Sequence, residues 1–144
     1  MEKDVAAQGA VAQALARART LARGFVVWND VVLVVVLVVV LVAHGSIARD
    51  AEATVVLRAG VFAVGGFVLL ALLRGMAQGK RSSWLRLAVI SVLAPLGTVV
   101  FVSATRELPW WFVVAQLVSA VLLAGIAVCV LRREVRAAYP KLSG

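Results

Sequence analysis

Asn29 and Asp30 interrupt a stretch that otherwise holds little but Val, Leu and Ala, FVVWNDVVLVVVLVVVLVA from Phe25 to Ala43. A carboxylate in such a setting is costly, and membrane helices keep one for ion pairs, proton relays or counter-charges. Three readings of the pair stand open. In the first, Asp30 forms an ion pair with Arg86 inside the cytoplasmic leaflet, supported by Asn29, and fixes the packing of two helices. In the second, the same pair works as a proton or anion relay. In the third, Asn29 or Asp30 caps a helix that starts at Val31, with Trp28 anchoring the interface. Capping leaves only the apolar run Val31 to Ala43, ~20 Å of helix against a hydrocarbon core of ~30 Å.

Other polar residues fall into weaker groupings. Gln116 and Ser119 share a helix face at i, i+3 spacing and suit interhelical hydrogen bonds or a cavity lining. Pro95 removes the backbone hydrogen bond to the Ser91 carbonyl, which makes it a candidate hinge. Arg58 is expected to pair near the outer surface with Asp50, Glu52 or Glu107, a contact of little energetic weight. His44, Asp50 and Glu52 have metal-ligand side chains without a ligand spacing, so no metal is assigned. Cys129 is expected to be a small packing residue. No Gly-rich phosphate loop, paired carboxylates in one span, or nucleophile with a histidine at a common depth is visible. The expectation is therefore a protein without catalytic residues or cofactor.

The elements that hold these groups are four apolar spans, at about 25–43, 53–73, 84–103 and 110–131. Short connections between them predict an all-α fold, a four-transmembrane-helix antiparallel bundle. Pro109 with Trp110 and Trp111 marks the start of the fourth span at an interface. Gly60, Gly65 and Gly66 in the second span permit close helix packing. Residues 1–24 read as an N-terminal cytoplasmic or interfacial amphipathic helix. Val11, Leu15, Ala18, Leu21 and Ala22 form its apolar side, opposite Gln13, Arg17, Thr20 and Arg23. Residues 132–144 form a basic tail.

Charge sets the orientation. Of 15 basic residues, Lys3, Arg17, Arg19, Arg23, Arg74, Lys80, Arg81, Arg86, Arg132, Arg133, Arg136 and Lys141 fall on one side, leaving Arg49, Arg58 and Arg106 for the other. The positive-inside rule then puts both termini in the cytoplasm, as an even number of spans requires. Arg17, Arg19, Arg23, Lys80, Arg81, Arg132 and Arg133 are the expected contacts to anionic lipid head groups. A net charge of +8 does not point to nucleic acid here, because the cations punctuate apolar runs in a chain that is 63% hydrophobic. The stretch before Phe25 has no uninterrupted apolar core, so a cleaved signal peptide is not expected.

The basic entry GKRSSWLR at Gly79 to Arg86 and the exit LRREVRAAYP at Leu131 to Pro140 resemble small four-span inner-membrane proteins of high-GC actinobacteria. That resemblance covers the C-terminal half and implies a bacterial inner-membrane location without supplying residue roles. Small multidrug-resistance transporters share the span count and an acid in the first span, but use Glu near the membrane centre. Four-span polyprenyl-phosphate flippases share the count without matching polar motifs. The expected function is a non-enzymatic accessory or scaffold subunit of a larger membrane complex, such as one of the cell envelope, with another membrane protein or a second copy as partner. The alternative is a small transporter or lipid flippase working through Asp30 and Arg86.

Overall fold

A computed structural model describes residues 1–42, 49–106 and 108–139, with backbone alone for 49–51. Five helices and no strand occur among them: α1 (Glu2–Val42), α2 (Arg49–Ala77), α3 (Arg81–Ala104), α4 (Trp110–Val130) and α5 (Arg133–Ala138). The first four are long and apolar enough to cross a membrane. They form the expected all-α bundle. α1 packs on α2 and α4, and α3 packs on the same two helices, so α1 and α3 occupy one diagonal.

The N-terminal segment is helical, as expected, and continuous with the first span. No break separates residues 1–24 from the first span, and α1 is continuous over 41 residues, ~60 Å at 1.5 Å per residue. Its packing explains why. Ala14, Ala18 and Ala22 recur every fourth residue, are almost wholly buried, and continue the line of Phe25 and Asn29. Small side chains at this spacing let helix backbones approach closely. The buried stripe therefore carries the packed face of the span back to residue 14, where a change of direction would expose it. Arg17, Arg19 and Arg23 stay exposed on the remaining circumference.

The core has two parts. At the end holding both termini, Ala14, Ala18, Ala22 and Phe25 meet Leu69, Leu73, Met76, Leu87, Leu123, Ile126, Val130 and Val135. At the distal end, Val32 and Val36 meet Val55, Ala59, Phe112 and Ala115. One turn joins α2 to α3 and needs a glycine. Gly79 has φ 78°, and the bonds Gly79 N–H to Met76 O and Lys80 N–H to Gly75 O close a Schellman motif. α3 runs helically through Pro95. Pro95 stands inside that helix, where it leaves the Ser91 carbonyl without its backbone donor.

At the terminal end, the ring N–H of Trp84 donates to the Val130 carbonyl at 3.2 Å, tying the start of α3 to the end of α4. The Tyr139 hydroxyl donates to the Met76 carbonyl at 2.5 Å, and its ring stacks on Trp84 with an interplanar angle of 6°. Tyr139, expected only as part of a basic tail, is thus the residue that docks the tail. Burial raises its phenol above the usual value near 10. As pH rises, the undocked phenol loses its proton before the docked one does. Docking is therefore at full strength below pH ~10 and weakens from there up through the docked pKa. Trp84 fluorescence should report this loosening, and Tyr139→Phe should abolish its pH dependence.

Candidate functional site

Contacts between helices give a common depth scale. Leu21 of α1 lies beside Gly125 of α4, and a Cβ built on Gly66 of α2 would touch Val26 of α1. Asn29 then stands opposite Ser119, one residue from the middle of α4. The Asn29–Asp30 pair consequently lies near mid-depth of the bundle, at the inner limit of the cytoplasmic-leaflet position expected for it.

Asn29 is almost wholly buried. Its amide Nδ2 donates to the Phe25 carbonyl at 2.8 Å, and its Oδ1 lies 3.0 Å from the Ser119 hydroxyl. That hydroxyl also has the Ala115 carbonyl within 3.1 Å, so its single proton serves one acceptor at a time. Trp28 donates from its ring nitrogen to the same Ala115 carbonyl at 3.2 Å. Trp28, Asn29 and Ser119 together latch α1 to α4. Asn29 is interior to a continuous helix, and the capping alternative for Asn29 or Asp30 does not apply.

The Asp30–Arg86 ion pair is not formed. α1 and α3 lie on a diagonal with no substantial packing between them. The Trp84–Val130 bond sets Arg86 level with the last turn of α4, whereas Asp30 is level with its middle. Nine residues of α4 separate Ser119 from Val128, roughly 14 Å of axial offset. Arg86 also faces outward, beside Val68, Leu72 and Val89. Asp30 is half-buried, and no described residue forms an ion pair with it. A relay or transport path through these two residues loses its geometric basis.

The bundle instead gathers polar groups around Arg58. Its Nε donates to Gln116 Oε1 at 3.3 Å and its Nη2 to Thr98 Oγ1 at 3.4 Å. The guanidinium carbon lies 3.7 Å from the centroid of Phe101 and 5.5 Å from that of Phe62, within cation–π range. Arg58 thus joins α2 to α3 and, across the second diagonal, to α4. Gln116 is six residues from the start of α4, which puts this cluster ~9 Å inside the distal end. Gln116 is fully buried, and its Nε2 has no hydrogen-bond partner. Thr98 donates its own hydroxyl to Ala94 O at 2.9 Å and so receives from Arg58.

Among the described residues no carboxylate pairs with Arg58, Glu52 included. Asp50 and Glu107, the other partners expected for it, lie outside the described side chains, as does His44. No group of three metal-ligating side chains occurs among the described residues. Cys129 is buried and free, as a packing residue. Of the expected head-group contacts, Lys80, Arg132 and Arg133 are exposed at the terminal end with the α1 arginines. Arg81 is half-buried, and its Nε and Nη1 lack hydrogen-bond partners.

Gln116 and Ser119 do share a face, but that face serves two different clusters. Ser119 belongs to the α1 latch and Gln116 to Arg58. The Arg58 cluster was missed by span counting, which treated Arg58 as an outer-surface residue. The available signal was Arg58 about one helical turn from Phe62, with Thr98 and Gln116 each six residues from the distal ends of α3 and α4. No family model, curated protein or solved structure matches this chain.

Proposed function

We propose that the chain is a non-enzymatic accessory subunit that holds or positions another protein in the bacterial inner membrane, with both termini in the cytoplasm. The observation that carries this reading is the outer face of α1. Val27, Val31, Val34, Val38 and Leu41 are exposed there, at alternating spacings of four and three, opposite the buried stripe. This is the spacing of a helix–helix seam. The inward latches support the same reading: Trp28, Asn29, Ser119 and Trp84 spend their polar groups on joining helices. Twelve of the basic side chains cluster at the terminal end by sequence, favouring that end as the cytoplasmic one.

Purification in mild detergent tests the proposal. The wild-type chain should elute with a second membrane protein, and Val34→Phe with Val38→Phe should release that protein while the bundle stays monodisperse. Elution only as a monomer or homo-oligomer would overturn it. A reporter fused to the C-terminus should be active on the cytoplasmic side.

A further inference from the structure

We propose that the seam between α2 and α3 binds a long-chain carboxylate, its apolar chain lying along the seam and its head group held by Arg58 and Gln116. This inference is independent of the accessory-subunit reading, since it uses a different face of the bundle and a different chemistry.

The argument begins with charge. Arg58 sits ~9 Å below the distal end, among apolar residues, with no carboxylate paired to it among the described residues. A cation at such a depth is costly, and proteins keep one where it meets an anion or a substrate. Its two hydrogen bonds go to neutral acceptors, Gln116 and Thr98, and use two of the five N–H donors of a guanidinium. Gln116 adds a second unmet need. Its amide oxygen is held by Arg58, which fixes its orientation, and its Nε2 is fully buried without an acceptor. A buried amide donor left unpaired in a native bundle calls for a missing acceptor. Among the described residues the cluster is thus rich in donors and has no anion, and a carboxylate supplies two acceptor oxygens to such a donor set.

The seam supplies the site for the chain. A groove of about 630 Å³ lies over Gly60, Val61, Val64, Gly65 and Ile90, within the ~300–1,000 Å³ typical of ligand sites. A second of about 380 Å³ continues it past Val68, Val89 and Ile90 to Arg86. A third of about 190 Å³ leads inward from Gly65 and Ile90 to Phe62 and Leu123. From Val56 to Leu72 the path follows sixteen residues of α2, roughly 24 Å. Two glycines keep it open: a Cβ on Gly60 or Gly65 would meet nothing within 4 Å.

Phe62 joins seam and cluster. Its ring lines the inward groove and lies 5.5 Å from the Arg58 guanidinium carbon. The depth of Arg58 selects a single-chain carboxylate over a phospholipid, whose phosphate and glycerol would have to leave the interface to reach it.

The test is photo-crosslinking of the full chain in nanodiscs with three diazirine probes of matched chain length: palmitate, hexadecanol and phosphatidylglycerol. The palmitate probe should label α2 and α3 peptides about tenfold more than the alcohol, the ratio expected when a charged hydrogen bond is lost. Arg58→Gln should reduce palmitate labelling to the level of the alcohol. Gly65→Leu, which fills the seam and leaves Arg58 in place, should reduce it as well, and decides the matter if Arg58→Gln fails to fold. Arg19→Gln, on an exposed face of α1 away from the seam, should leave it unchanged. Equal labelling by palmitate and alcohol, stronger labelling by phosphatidylglycerol, or full labelling in a folded Gly65→Leu variant would each overturn the proposal.

Discussion

Gly66→Leu will loosen α1 from α2, while the same change one residue earlier, Gly65→Leu, will leave the fold intact. The two glycines are neighbours in a helix and equal in propensity, so any difference between them must come from packing. A Cβ on Gly66 would lie 2.8 Å from Val26 Cγ2 and 3.4 Å from both Phe25 Cδ1 and the Val26 Cα. The last of these is backbone and cannot rotate away. Val26 and Phe25 are both buried, and Phe25 leans on Phe62 with ring centroids 6.2 Å apart. A leucine at Gly66 must therefore push α1 outward or eject Phe25 from the core. Overpacking of this kind costs ~1–3 kcal/mol. At Gly65 the nearest volume is the open seam. Unfolding in graded dodecyl sulfate, followed by circular dichroism, compares the two variants directly. Helix propensity alone favours leucine over glycine at both positions, so equal changes at the two would mean that contact with α1 does not set the result.

The spans were legible because hydropathy is a property of the chain itself. Four long apolar runs and short connections are enough to require an antiparallel bundle, and the structure has it. The depth of the polar groups was less legible. A first span beginning at Phe25 puts Asp30 near its inner end, but α1 does not turn there. Ala14, Ala18 and Ala22 carry the packed face inward past that point, so Asp30 lies deeper than the count implied. The choice of neighbours was not legible at all. Asp30 and Arg86 sit on helices of the same direction, and only the arrangement of four helices around an axis reveals that these two form a diagonal. Asn29 and Ser119 were each noticed, but pairing them needs the register of α1 against α4. That register is set by contacts such as Leu21 with Gly125 and Trp28 with Ala115, which hydropathy does not encode. Arg58 was hidden for a related reason: α2 begins at Arg49, four residues before the expected span, so that Arg58 is carried into the bundle.

The double substitution Arg58→Leu with Gln116→Leu should make the bundle more stable than the wild type, by ~1–3 kcal/mol, although it removes two hydrogen-bonding groups. Arg58 contributes packing on Phe101 and Phe62 and two long hydrogen bonds, at 3.3 and 3.4 Å. Against these stands the cost of a guanidinium near the membrane interior, ~2.5–3.5 kcal/mol at a helix centre, together with the unpaired Gln116 amide. Leucine at both positions removes the charge and the orphan donor at once. Thr98 keeps its bond to Ala94 O and is left with no unmet donor. Gln116→Leu alone should act in the opposite direction, at a cost of ~1–3 kcal/mol, because it strips an acceptor from a charge that remains buried. The reversal of sign between the single and the double variant is the informative outcome, measured by the same dodecyl sulfate titration. A double variant weaker than the single one would make Arg58 a structural tie. A stabilised double variant would mean that the chain carries this arginine at a cost to its own fold. What it gains must then lie outside folding, in an anion that no described carboxylate supplies.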